Sequence, residues 1–193
     1  MTRILIIQGH PDPSPGHLCH ALATAYQEGA EQAGHSVDKV CVATLSFPLI
    51  RSKQDFEHGE RPVCIQSAQD AIRDCQHLVL IYPLWLGTLP ALLKGFLEQV
   101  FRYDFAFEQQ ADGRFDKKLR GRSARVVVTM GMPALAFRWI YGAHSLKGLE
   151  RNVLRFAGIA PVRNTLFGGV DDAGATRRRI WLDTMRDLGR AAR

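Results

Sequence analysis

In the stretch Ile81-Tyr82-Pro83-Leu84-Trp85-Leu86-Gly87-Thr88-Leu89-Pro90, an apolar run meets a helical pattern with only a short turn between them. The run from His77 to Tyr82 has the length of a buried strand. The pattern from Pro90 to Phe101 places Leu92, Leu93, Phe96, Leu97 and Val100 on one helical face. Pro90 stands at the helix start, where its missing N–H costs nothing. A strand that hands over so directly to a helix puts the turn at the carboxyl edge of a parallel sheet, where open α/β folds bind their ligands. Trp85, between Pro83 and Gly87, fits two roles equally by spacing: a flat wall for a flat ligand, or a cover for the core.

Working outward, the same alternation recurs. Arg3 to Gln8 reads as a fully buried first strand, without the polar alternation of a half-solvated one. The Pro- and Gly-rich Gly9 to Gly16 comes next as an ordered loop, and His17 to Ala33 keeps the spacing of a buried helical stripe, with Gly34 as its C-cap. Ser36 to Ala43 is the second strand, Val63 to Cys75 a helix, Ala124 to Met130 the fourth strand, and Leu146 to Ala157 a helix capped by Gly158. Val162 to Phe167 is the fifth strand and Ala175 to Ala191 the last helix. Thr44 to Pro62 and Phe101 to Gly121 lose the pattern and read as surface excursions, and Ala134 to His144 as a short helix or lid. Strands and helices in alternation mean βαβ units and a parallel sheet. The expected strand order is 2-1-3-4-5, with a crevice where the loops after strands 1, 3 and 4 converge.

Length, charge and cysteine spacing narrow the class further. A chain of 193 residues, 46 % hydrophobic, is expected to form one domain over residues 1–193. Its apolar runs are strand-length, far below a membrane span. Met1-Thr2-Arg3 leads straight into Ile-Leu-Ile-Ile without the length or cleavage region of a secretory signal, so the expected location is cytoplasmic. Cys19, Cys41, Cys64 and Cys75 stand far apart, which predicts reduced thiols and no metal site. The net charge of +6 is uneven: residues 1–111 carry 8 basic and 12 acidic side chains, residues 112–193 carry 17 and 7. A basic half attracts phosphate-bearing partners. No nucleic-acid recognition motif accompanies it, so no specific nucleic-acid binding is expected, and Arg177-Arg178-Arg179 reads as a solvated helix start.

The three convergent loops differ in chemistry. The first puts His10 after strand 1 and leads into a helix N-terminus, which favours a phosphate. Neither a dinucleotide fingerprint nor a P-loop is present. The third-strand loop offers Trp85 for stacking and the backbone amides of residues 84 to 86 as donors. The fourth-strand loop, Thr129-Met130-Gly131-Met132-Pro133, offers a hydroxyl and a glycine for close backbone approach. Together they describe a site for a mononucleotide with a flat ring.

Gly9-His10-Pro11-Asp12-Pro13, Cys19-His20-Ala21-Leu22 and Tyr82-Pro83-Leu84-Trp85-Leu86-Gly87-Thr88-Leu89-Pro90-Ala91-Leu92-Leu93-Lys94-Gly95-Phe96 together resemble the flavodoxin-like NAD(P)H:quinone oxidoreductase family. That family includes DT-diaphorase and the ancillary subunits of bacterial potassium-efflux systems. The resemblance implies an α/β three-layer sandwich with a five-stranded parallel sheet, and a flavin in the crevice. By position, His10, His17, Leu18 and Cys19 would surround the phosphate or ribityl chain. Pro83, Leu84, Trp85 and Leu86 would bed the ring, and Thr129 and Gly131 its pyrimidine side. Where family members usually have Ser-Phe-Asn, this chain has His17-Leu18-Cys19, so His17 would replace a hydroxyl donor. The family's Gly-Gly is here Gly131-Met132. The chain lacks the long C-terminal extension of the larger FAD-binding animal members, which favours FMN, with FAD as the alternative.

The implied activity is two-electron hydride transfer from NADPH or NADH to a quinone-like acceptor, with Tyr141 and His144 as candidates to hydrogen-bond the acceptor oxygen and deliver a proton. The resemblance also implies a homodimer, in which the aromatic run Phe101 to Phe107 either completes a partner's site or covers its own helix. Two other readings are an electron carrier of the flavodoxin type and a regulatory subunit docked peripherally on a membrane transporter through the charged run Lys53 to Arg61.

Overall fold

Seven strands and eight α-helices are formed in the computed structural model, which describes residues 1–193. β1 (Arg3–Gln8) pairs in parallel with β2 (Ser36–Cys41) on one side and β3 (His77–Pro83) on the other. β4 (Phe107–Gln109) and β5 (Phe115–Lys117) form a separate antiparallel hairpin. β6 (Ser123–Met130) and β7 (Val162–Gly168) complete the main sheet, in the order β2-β1-β3-β6-β7 with every pairing parallel. This is the expected 2-1-3-4-5 topology; the hairpin between the third and fourth sheet strands raises the count.

The helices are α1 (Leu18–Gln32), α2 (Lys53–His58), α3 (Val63–Asp74), α4 (Ala91–Val100), α5 (Ala134–Trp139), α6 (His144–Gly148), α7 (Arg155–Ala157) and α8 (Ala175–Arg190). Leu149–Leu154 joins α6 to α7 as a π-helical segment, so the helix expected over residues 146–157 exists but is wound in wider turns at its centre. The period of two along each strand divides the core. Leu5, Ile7, Leu78, Leu80, Tyr82, Val126 and Val128 face one way, into the larger apolar cluster that includes residues of α3, α4 and α6. Ile4, Ile6, Val79, Ile81 and Val127 face the other, against α1 and α8. Each fully buried Ile or Leu contributes about 1.5–3 kcal/mol relative to exposure.

α1 and α8 run side by side in the same direction. Arg186 Nε donates to Glu28 Oε2 at 2.9 Å, and one turn further Arg190 donates to Gln32 Oε1 at 3.3 Å. Two glycines permit this approach: a Cβ at Gly29 would lie 2.0 Å from the Arg186 carbonyl oxygen, and one at Gly189 2.1 Å from that of Tyr26. The pairing brings both helix N-termini to the carboxyl edge of the sheet.

The excursions hold more structure than their sequence suggests. Within residues 44–62, Ser52 caps α2 by accepting from the Asp55 N–H at 3.0 Å. Arg102, only 2 % exposed, holds this helix from below, donating to the carbonyl oxygens of Asp55, Phe56 and Glu60. The charged run Lys53 to Arg61 is thus tied to the body of the protein. In residues 101–121, Phe101 and Phe105 are buried in the core, and Phe107 of the hairpin packs edge-on to Phe156 of α7, with ring centroids 5.0 Å apart. No helix is long and apolar enough to cross a membrane.

Candidate active site

The loops after β1, β3, β6 and β7 enclose a cavity of about 550 Å³ at the carboxyl edge of the sheet. That lies within the ~300–1,000 Å³ usual for small-molecule and cofactor sites. His10, His17, Leu18, Cys19, Pro83, Leu84, Trp85, Thr129 and Gly131 line it together.

Leu86 does not. The Trp85 N–H donates to the Thr88 carbonyl at 2.8 Å and the Thr88 N–H returns to Trp85 at 2.9 Å. Between them Leu86 and Gly87 have φ of 46° and 78°. This is the two-residue turn with both central residues left-handed, and it turns Leu86 fully into solvent. Two of the three amides expected to serve a ligand are also spent inside the protein. Leu84 N–H donates to the Thr129 carbonyl at 2.7 Å, extending the β3–β6 pairing, and Trp85 N–H closes the turn. Trp85 itself is 49 % exposed at the cavity wall, its ring edge-on to His10 at 6.1 Å.

The loop after β1 begins with Gly9, whose N–H donates to the Ile81 carbonyl at 2.7 Å and whose Cβ, if present, would strike Leu93 at 2.6 Å. This contact brings the loop down onto β3 and aims it at the cavity. Asp12 organises the rest of the loop. Its carboxylate accepts from the Ser14 N–H at 2.8 Å and lies 2.9 Å from His17 Nε2, and these bonds hold it well below the usual carboxylate range. His20 Nε2 meets the Asp12 carbonyl at 2.9 Å. His10 Nδ1 stands 3.1 Å from both the Asp12 N–H, which donates to a neutral ring, and the Asp12 carbonyl, which accepts from a protonated Nδ1. The His10 and His17 rings are stacked at 3.9 Å. Burial, with the two neighbouring imidazoles, keeps His10 below the ordinary histidine range. The first-turn amides of Leu18 and Cys19 have no acceptor in the chain, as α1 begins there.

Cys19 lies beneath the cavity, with Sγ 3.3 Å from Thr129 Oγ1. Burial pushes its thiol up to about 11, so it stays protonated and ties α1 to β6 rather than acting as a nucleophile. At Gly131 a Cβ would lie 2.3 Å from Asp171 Oδ2; glycine lets the loops after β6 and β7 meet.

Residues absent from the expected set also line the cavity: Gly16, Met130, Val170, Asp171 and Arg178. Arg177, Arg178 and Arg179 are exposed at the start of α8, as the sequence suggests, and Arg178 in addition borders the cavity. Arg177 donates to the Gly168 carbonyl at 3.0 Å and lies over the Trp181 ring, while Arg178 reaches the cavity because α8 starts beside α1. The signal available in the sequence was topological, since the fifth strand of a parallel sheet delivers its loop to the same edge as the first. Tyr141 and His144 lie outside the cavity, on the surface after α5, close in the chain to the exposed Leu135 and Trp139 of α5 and to Ile140.

The profile of the family described as flavodoxin-like fold matches residues 2–186. An uncharacterised NAD(P)H oxidoreductase of Haemophilus influenzae is 26 % identical over 170 residues, spanning 86 % of this chain and 83 % of that protein. An FMN-dependent NADH:quinone oxidoreductase of Mycoplasma genitalium is 22 % identical over 177 residues, spanning 89 % and 86 %. The solved NAD(P)H:quinone oxidoreductase of Methanothermobacter marburgensis superposes with a TM-score of 0.81 at 23 % identity, over 98 % of this chain and 96 % of that one. Sheet order, cavity position and profile agree: the chain belongs to the flavodoxin-like fold family, among relatives named as NAD(P)H oxidoreductases.

Proposed function

We propose that this chain is a flavin-dependent NAD(P)H oxidoreductase that reduces quinone-like acceptors, with FMN as its flavin. The observation that carries the reading is the single cavity in which an aromatic wall, a glycine loop and a helix N-terminus with unspent donors meet. The residues fit the group. The open face of Trp85 suits the ring, and the amides of Leu18 and Cys19 suit the phosphate. Thr129 and Gly131 border the cavity beside Asp171, where the pyrimidine side would lie. When bound, FMN supplies two-electron hydride chemistry; the protein supplies orientation and polarity.

His10, His17, Leu18 and Cys19 hold the phosphate end, while Pro83, Leu84 and Trp85 set the plane of the ring. Leu86 is left out of that set by its solvent-facing turn. Tyr141 and His144, which stand outside the cavity in the single chain, stay in the proposal as the groups that would hold a proton and deliver it to the acceptor oxygen. A homodimer is part of the proposal: the exposed Phe115, Leu135, Trp139, Ile140 and Tyr141 form apolar surface that a second copy would cover. The names of the relatives favour an enzyme over an electron carrier or a transporter subunit.

Purified protein should be yellow, its flavin absorbance bleached by NADPH or NADH and restored by a quinone. Colourless protein that accepts neither FMN nor FAD would overturn the assignment. Tyr141→Phe and His144→Gln should lower quinone turnover while flavin content stays unchanged, and light scattering should report a dimer.

A further inference from the structure

We propose that the phosphate corner of the cavity is proton-coupled: His10, His17 and His20, gathered around Asp12, take up a proton from solvent when a phosphate dianion docks at the N-terminus of α1. The proposal rests on the flavin reading above and specifies how this chain grips the phosphate, with the His17 imidazole where the family it resembles has a hydroxyl side chain.

Three rings lie within contact of one another: His10 and His17 at 3.9 Å between centroids and 22° between planes, His10 and His20 at 5.7 Å, His17 and His20 at 6.0 Å. Two imidazolium rings stacked face to face repel, so the pair cannot readily carry two protons without a counter-charge. The carboxylate within the cluster, Asp12, is already committed, one oxygen to the Ser14 N–H and the other to His17 Nε2. His10 is 7 % exposed, its Nδ1 is engaged by the Asp12 backbone, and its Nε2 meets no protein partner although the ring lines the cavity. The helix offers two open N–H groups at the same place.

The other charged groups around the cavity are Asp171 and Arg178, from the β7–α8 side; the loops after β3 and β6 contribute Trp85 and Thr129 and no charge. His20 borders the neighbouring groove with Glu28 and Arg186, which pair with each other at 2.9 Å. An arriving dianion therefore meets Arg178, the helix dipole and a histidine cluster short of negative charge. It supplies the missing counter-charge, and the bound state holds more protons than the free one. Affinity must then fall as pH rises above the ordinary histidine range near 6.5, by about tenfold per pH unit for each proton taken up.

The test titrates apoprotein with FMN and, separately, with riboflavin, which has the same ring without the phosphate. Calorimetry from about pH 6.5 to 8.5, above the phosphate's own second ionisation near 6, in two buffers of different ionisation enthalpy, counts the protons. The expected result is an FMN affinity that weakens by up to about tenfold per pH unit with close to one proton taken up, while riboflavin affinity stays flat. A His17→Gln, His20→Gln double variant with unchanged circular dichroism should flatten the FMN slope; if it does not fold, the wild-type proton count decides. FMN binding without proton uptake, or an equal slope for riboflavin, overturns the proposal while the flavin reading stands. Failure of both flavins to bind at any pH removes both.

Discussion

Replacing Trp85 with alanine separates the two roles its position allows. The turn that carries it is closed by two backbone hydrogen bonds and by the left-handed Leu86 and Gly87, none of which involves the indole. The ring is half exposed, and its aromatic neighbour is the edge of His10, so little packing is lost on truncation. Apoprotein stability should fall by about 1 kcal/mol or less, a Tm change of roughly 2–4 °C for a chain of this size. Stacking is a different matter. A flat heterocycle on an aromatic side chain is worth about 1–3 kcal/mol by alanine substitution. At 1.4 kcal/mol per factor of ten, FMN should bind roughly 5- to 150-fold more weakly. Titration of apoprotein by flavin-fluorescence quenching reads the affinity, and a thermal melt of the same samples reads the stability. Trp85→Phe should recover most of the loss. A Trp85→Ala protein with unchanged FMN affinity and a large fall in Tm would make Trp85 a lid on the core and refute the stacking argument.

Leu86→Gly relieves a left-handed Leu on a solvent-facing turn, so it should stabilise the protein by about 1 kcal/mol and leave FMN affinity unchanged; a loss of affinity would return Leu86 to the ring-binding set. Gly29→Ala sets a methyl against the backbone of α8, and the helices must part; a loss of about 1–3 kcal/mol, seen as several degrees in Tm, is expected, and an unchanged melt would contradict the close crossing. Arg102→Met removes the donors that hold the carbonyl oxygens of α2, so trypsin should cleave at Arg51 or Lys53 well before wild type does. Burial, then the nearby Arg125, lowers His77 to about 4 in the folded protein. The unfolded chain therefore binds the extra proton first, and stability present above pH 6.5 is lost as pH falls towards 4, by up to about 3 kcal/mol. Urea midpoints at pH 7 and pH 5 should show that fall in wild type and a smaller one in His77→Gln.

The strands were legible because a buried strand is a local property. Ile4 to Ile7 and Leu78 to Tyr82 are apolar on both faces, and only a sheet covered by helices on both sides can hide them. The short hand-over from β3 to α4, with Pro90 at the helix start, located the binding edge, and with it nine residues that share the cavity. The hairpin and α2 were not legible. Their segments are too short for a period to register, and α2 is held by Arg102, 42 to 47 positions away in the chain.

The sequence by itself determined the class of fold, the edge at which the ligand sits and the kind of residue each loop brings there, because hydrophobic period and turn chemistry act over neighbouring residues. Only the tertiary structure decided which donors remain free, since Leu84 and Trp85 give their amides to Thr129 and Thr88. It alone moved Leu86 out of the wall and brought Arg178 into it, because backbone contact at Gly29 and Gly189 sets α8 beside α1. It also gathered three histidines around Asp12, His17 on its carboxylate and His10 and His20 on its backbone. Hydrogen-bond partners and helix approach are settled between residues far apart in the chain, where no local pattern records them.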